Sequence, residues 1–580
     1  VRSGSEDDGA YLSIPTVSLP ACSPISAARP PLWRAARRLA GPGAAAAVIG
    51  SLALTAPAVA AAEDPAAAIA VPAAVMRRLE AVTGKPMYRH STWGWQVVDE
   101  GSGAVLLERN SAQMFVPGSI MKTFSTAAVL NEYGPEHRFR TPIHQFGSLR
   151  DGVLDGHLVL VASGDFSFGL RERADGSLGF NSLPQIDHNY ASTGFPGVAL
   201  LDDSDPLRAL NQLAAQVRAA GIQRVRGDVV IDDRLFNTYA GWPDGLIAPI
   251  WVNENMLNII TRPGRPGELA VVDWRPRTAA LSVVSQVTTV AAGTATEPLQ
   301  VEPLDGGLVR ISGQIAADAP ERISSAEILQ PAAFARTALI EALERAGVVV
   351  EATATGKNPV AILPILPATA RTEAMTSAYA GAPKLAEHVS PPLSEFVKVV
   401  LKISYNRGAA LMVCLVAVKA GSLDCPDGLA RELEVITALG VSPASTLVED
   451  GAGSIDSSRT SPIDQTTLLR RLLKEPWGQA LRQGLPVMGV DGTQAQNQAG
   501  HPAAGRIRLK DGSRVMGSAS GQVSIPAKTQ VGYIEAASGR RLVYALYLNN
   551  VPTSPDTLLS SFETADRDLA AIAAAFQEAF

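Results

Sequence analysis

Aromatic side chains make up only 5% of the 580 residues, and cysteine is scarcer still, with three in all. No Cys-x-x-Cys occurs, and the seven histidines form no His-Glu-x-x-His. A zinc site of recognisable spacing is therefore not expected. An excess of positive charge is also missing. Lys and Arg number 50 against 56 Asp and Glu, a formal −6, and no basic block occurs beyond the first 62 residues. That removes the electrostatic footprint of a nucleic-acid binder. The chain is, by contrast, rich in apolar residues (46%) and in Gly (50) and Pro (40). This is too apolar for a disordered chain, long enough for three or four domains, and punctuated by many turns.

The first 62 residues do not read as fold. The basic stretch Trp33–Arg38 precedes an apolar run, Gly43 to Thr55, and then Ala58-Val59-Ala60-Ala61-Ala62. Positive, apolar, then small is the order of a secretory signal peptide, and the run falls short of the ~20 residues that span a bilayer. The plain alternative is an Ala-rich tail; Arg37-Arg38 fits a twin-arginine signal poorly. Loss of residues 1–62 removes five Arg and three acids, taking the charge from −6 to −8. Export, to a periplasm, is the expectation. Cys22 leaves with the leader, so Cys414 and Cys425 remain as an even pair in an oxidising compartment; a disulfide between them is expected, two buried thiols being the alternative.

Periodicity then divides the chain. Pro72–Thr83 has helical spacing, Trp93–Asp99 and Ala104–Glu108 read as a hairpin, and Ile120–Glu132 as a helix stopped by Gly134-Pro135. Short alternating runs follow: Leu158–Ala162, Asp228–Ile231, Leu257–Thr261, Leu281–Val290 and Leu308–Ile315. Helices resume at Ala333–Ala346 and dominate to about 440. Strands at Arg506–Leu509 and Leu542–Leu548 precede a long helix, Leu558–Phe580. The expected organisation is a leader (1–62), an α/β core (63–144 and 325–580) and a β-rich two-lobe insertion (145–324).

Ser119 and Lys122 stand three apart at the start of a predicted helix, so they share a face and the amine can reach the hydroxyl. Serine needs a base to become a nucleophile, and a buried Lys can lose its proton and serve as one. Ser-x-x-Lys alone is common by chance. Two further elements strengthen it: Ser404-Tyr405-Asn406 on a loop between predicted helices, and Lys510-Asp511-Gly512-Ser513 ending a strand.

Together these are similar to the three signatures of the penicilloyl serine transferase superfamily. More narrowly, the chain resembles the class C low-molecular-mass penicillin-binding proteins, the type-4 D-alanyl-D-alanine carboxypeptidase/endopeptidases. The resemblance rests on Phe115–Lys122, Ser390–Asn406, Val448–Ser454, Leu485–Thr493, His501–Ser513 and Leu546–Asn550. The 285-residue interval from Ser119 to Ser404 matches that family's inserted lobes. The resemblance implies a penicillin-binding/serine β-lactamase-like fold, with Ser119 the acylated nucleophile and Lys122 its base. Ser404 would relay protons, and Asn406 would hold Lys122 and the substrate's peptide oxygen. Lys510 would supply positive field, and the backbone N–H groups of Ser119 and Ser513 the oxyanion hole. It implies no metal and no cofactor. The implied partners are peptidoglycan stem peptides and acylating β-lactams, with peripheral membrane association an option.

Two departures stand out. Asp511 replaces the usual Thr and would repel a substrate carboxylate unless it is turned away or paired with Lys510 or an Arg. In Gly241-Trp242-Pro243-Asp244-Gly245 the acidic residue comes early, so Asp244 is either a substrate contact or a surface turn residue. Asp165 matches a structural position. Lys528-Thr529-Gln530 lacks the Gly of a third motif and is rejected as one. The leading expectation is an exported serine DD-peptidase; the alternatives are a peptidoglycan-binding relative impaired by Asp511, and, more remotely, a β-lactamase.

Overall fold

The run Leu542-Val543-Tyr544-Ala545-Leu546-Tyr547-Leu548 has no polar alternation because both of its faces are covered. In the computed structural model, which describes residues 73–195, 197–366 and 377–580, it lies in strand Arg541–Thr553 at the centre of a five-stranded antiparallel sheet. Across the sheet the order is Ile507–Gly517, Val523–Glu535, Arg541–Thr553, Thr92–Asp99 and Val105–Arg109. The first of these strands is therefore an edge. Residues Leu542, Tyr544, Leu546 and Leu548 pack with Val75 and Leu79 of helix Ala73–Thr83 and Leu569, Ile572 and Phe576 of helix Leu558–Ala579. The intervening Val543, Ala545 and Tyr547 pack with Phe124, Phe396 and Val413 of a helical layer. A period of two thus feeds two cores.

Helix Asn406–Lys419 is apolar all round and buried from Arg407 to Val418, as a helix inside a core must be. It packs against helix Lys122–Tyr133, itself buried from Lys122 to Leu130. Cys414 on this central helix and Cys425 beyond its end are joined in a disulfide that closes a segment of sequence separation 11.

After helix Lys122–Tyr133 the chain enters the inserted region. Strands Arg138–Arg150 and Val153–Val161 form a sheet with short strands at 224–225, 229–232 and 349–350, and with Lys384–Pro392. Helices Arg208–Ala219 and Pro331–Arg345 share its core. Two three-stranded sheets, centred on Met256–Arg262 and Leu308–Ala316, and a two-stranded pair, Ile186–Asp187 with Val198–Ala199, complete the region. The first sheet begins at 138 and is rejoined as late as 384–392, so it extends on both sides of the 145–324 span expected from texture. Strand Lys384–Pro392 runs directly into helix Leu393–Lys402, which ends two residues before Ser404. The leader at 1–62, with Cys22, lies outside the described residues. Among the described residues no helix is long and apolar enough to cross a membrane.

Candidate active site

Ser119 sits in a 3-10 turn, Gly118–Met121, at the mouth of helix Lys122–Tyr133. Two backbone segments close on this turn too tightly for side chains. A Cβ on Gly118 would lie 2.8 Å from Ser513 N, and one on Gly512 would lie 2.9 Å from Ser119 N. One on Gly453 would meet Gly118 O at 1.9 Å. The glycines thus let edge strand Ile507–Gly517 bring the Ser513 N–H beside the first helical turn, whose N–H groups have no intrahelical partner. The Ser119 and Ser513 backbone nitrogens thus lie close to the same turn.

Lys122 is fully buried behind it. Its Nζ donates to Ser119 Oγ at 2.7 Å, to Asn406 Oδ1 at 2.6 Å and to the Ala452 carbonyl at 3.1 Å. Burial, then the nearby Lys510 cation, lower its pKa from 10.5 to about 7, while Asp244, Asp450 and Asp511 oppose the shift. Such a group can be an amine at neutral pH. The Ala452 carbonyl is held in place by Asp450, whose carboxylate accepts from the N–H groups of Ala452, Gly453, Ser454 and Ile455.

Ser404 and Asn406 flank the boundary between helices Leu393–Lys402 and Asn406–Lys419. Ser404 has φ +57, a conformation few L-residues adopt without support. Tyr190 provides it, donating to the Ser404 carbonyl at 2.6 Å from within the inserted region. The insertion also reaches Asn406: its Nδ2 donates to Asp244 Oδ1 at 2.7 Å. Asp244 is therefore neither a free turn residue nor placed only for an incoming substrate; it already bonds an active-site amide. The next turn is anchored on both sides. Leu246 N donates to Glu327 at 2.6 Å, and Arg407 Nη2 donates to Leu246 O at 2.7 Å.

Lys510 is completely buried, and burial lowers its pKa while Asp511 opposes the shift. Its Nζ donates to the Asp511 carbonyl at 2.7 Å and lies 3.1 Å from Asp511 Oδ1, rather than bonding Ser404. Asp511 Oδ1 also accepts from Thr493 Oγ1 at 2.6 Å. Against the cost of burial, Lys510 and Thr493 hold the Asp511 carboxyl down to about 2. The residue that departs from the family pattern is thus an anion paired with the cation beside it, and Arg508 is not its partner. Lys528 pairs with Ser513 across the sheet and donates to Ser513 Oγ at 3.0 Å, while also bridging Asp566 at 2.9 Å.

The structure thus brings Ser119, Lys122, Asn406 and Asp244 into one hydrogen-bonded chain, with Gly512 and Ser513 abutting the Ser119 turn. Sequence reasoning gave no role to Tyr190, Thr493 or Asp450. Thr493 and Asp450 lie in Asp491-Gly492-Thr493 and Asp450-Gly451, stretches noted for resemblance alone; Tyr190 carries no local signal.

Known proteins resemble this chain over most of its length. A family model, the D-Ala-D-Ala carboxypeptidase 3 (S13) family, matches residues 75–567. A D-alanyl-D-alanine carboxypeptidase of an Actinomadura species is 27% identical over 460 residues, covering 75% of each chain. The carboxypeptidase DacB of Haemophilus influenzae is 20% identical over 413 residues, covering 67% of this chain and 72% of that one. The crystal structure of penicillin binding protein 4 from Haemophilus influenzae has a TM-score of 0.60 at 18% identity, covering 85% of this chain and 98% of that chain. The fold is that of the penicillin-binding and serine β-lactamase-like proteins with an additional β-rich region. A match over nearly all of the described chain settles its kinship: the protein belongs to the D-Ala-D-Ala carboxypeptidase 3 (S13) family, the type-4, class C penicillin-binding proteins.

Proposed function

We propose that the protein is an exported serine DD-peptidase that acts on peptidoglycan stem peptides through an ester on Ser119. The observation that carries this reading is the Lys122 amine, buried and shared between Ser119 Oγ and Asn406 Oδ1. The neutral amine takes the Ser119 proton as Oγ attacks the carbonyl carbon of the penultimate D-Ala. The developing oxyanion is met by the N–H groups of Ser119 and Ser513, donors that require no reorganisation. The tetrahedral adduct collapses with cleavage of the C–N bond. The proton on Lys122 passes by way of Ser404 to the departing D-Ala nitrogen. Water then hydrolyses the ester by the reverse proton path. Inhibition by β-lactams follows from the same attack on a strained amide. The Haemophilus influenzae neighbour has a crystal structure in complex with a β-lactam. The Cys414–Cys425 pair and the leader support export.

The test is release of D-Ala from a diacyl-Lys-D-Ala-D-Ala peptide. Activity in the wild type and its loss in Ser119→Ala are expected; equal release by both proteins would refute the proposal. A second reading is favoured by the Lys510–Asp511 pair: a stem-peptide binder slow in turnover. Stoichiometric penicillin acylation without D-Ala release would favour it.

A further inference from the structure

Asp165, Glu172 and His388 meet where the turn after strand Val153–Val161 touches strand Lys384–Pro392. His388 Nε2 lies 3.0 Å from Glu172 Oε1 and 3.4 Å from Asp165 Oδ2, and the three atoms fall within 4.8 Å of one another. None of these three atoms has a hydrogen-bond partner. The oxygens flank the ring nitrogen, and neither completes a well-directed N–H···O bond. Asp165 is held rigidly. Its other oxygen accepts from the Ser167 and Phe168 N–H groups at 2.9 and 2.8 Å, which leaves Oδ2 aimed at the cluster. The side chains of His388 and Asp165 are 4% and 2% exposed, whereas that of Glu172 is 18% exposed and opens the cluster to solvent.

Charge and spacing point the same way. An imidazolium between the two carboxylates would leave the cluster with a net charge of −1. A divalent cation with a neutral imidazole and two carboxylates is balanced. Donors about 2.0–2.2 Å from a tetrahedral ion stand roughly 3.3–3.6 Å from one another, against 3.4 and 3.0 Å around His388 Nε2. One imidazole with two carboxylates suits zinc, whereas calcium and magnesium favour all-oxygen shells.

We propose that Asp165, Glu172 and His388 bind one zinc ion, with water in the fourth position. The ion would clasp the insertion to the strand that leads into helix Leu393–Lys402 and so to Ser404. No short motif announces such a site, because its residues are separated by 7 and 216 positions.

The full-length protein, stripped with chelator, is incubated with zinc chloride, desalted, and measured for zinc by mass spectrometry and for Tm. The expected result is about one zinc per wild-type chain and a Tm raised by zinc. In Glu172→Gln and His388→Gln, zinc retention should fall by roughly tenfold or more, and the Tm response should vanish. Glu172→Gln, isosteric and partly exposed, keeps the test decisive if the His388 variant fails to fold. No zinc on the wild type, or equal zinc on wild type and Glu172→Gln, would overturn the proposal. Neither readout depends on peptidase activity, so the Ser119 mechanism stands or falls separately.

Discussion

Asp244 Oδ1 accepts the Asn406 Nδ2–H at 2.7 Å, while the oxygen of the same amide accepts from Lys122 at 2.6 Å. A carboxylate can only accept, and the Lys122 nitrogen donates to the amide oxygen, so the two partners together fix which way the amide points. Asp244 also helps keep the proton on Lys122. Asp244→Ala should therefore do two things. It should slow penicillin acylation by about tenfold or more, the size of a lost charge-assisted hydrogen bond. It should also move the acid limb of the pH profile to lower pH, because an anion that favoured the ammonium is gone. Acylation rates measured across pH separate this from simple misfolding, which would leave the midpoint in place.

In the wild type the acid limb itself should report Lys122. The base form exists above its pKa, so the acylation rate should rise with pH and level off beyond a midpoint near 7. Stopped-flow acylation between pH 5.5 and 9 gives the midpoint. A rate flat across pH 7 would mean that another group accepts the Ser119 proton.

Asp511 makes a different prediction. Held to about 2 by Lys510 and Thr493, it is an anion throughout that range and contributes no limb of its own. Its effect is to spend the Lys510 charge locally, where the family pattern leaves that charge for a substrate carboxylate. Asp511→Thr should lower KM for a D-Ala-D-Ala peptide, with a change of about tenfold for each 1.4 kcal/mol relieved. It should also lower Tm, because it strands a buried ammonium. Steady-state kinetics and thermal unfolding of the same preparation check both halves. An unchanged KM would show the substitution to be silent for binding.

Much of this was legible in the sequence because the chemistry is carried by short motifs. Ser119 with Lys122, Ser404 with Asn406, and Lys510 with Gly512 each lie within one turn or one strand, and periodicity located the elements that hold them. The contacts that distinguish this protein could not be read. Asn406 meets Asp244 across 162 residues, Ser404 meets Tyr190 across 214, and Asp511 meets Thr493 by a side-chain turn that no pattern encodes. Strands Arg138–Arg150 and Val523–Glu535, with Arg, Pro, His, Lys and Gln among their residues, lack a clean alternation.

The disulfide is testable apart from catalysis. Non-reducing peptide mapping of protein exported to a periplasm should recover Cys414 linked to Cys425, and both thiols found free would contradict the structure. Replacing both by Ser should cost about 3 kcal/mol in the chain-entropy account, read as a fall in Tm.

The central claim, that Ser119 is the nucleophile and Lys122 its base, is tested most directly by peptide mapping after saturation with benzylpenicillin. A single penicilloyl adduct is predicted on the peptide that carries Ser119, with none in Ser119→Ala or Lys122→Ala. An adduct on Ser404, or no adduct at saturating drug, would contradict the account.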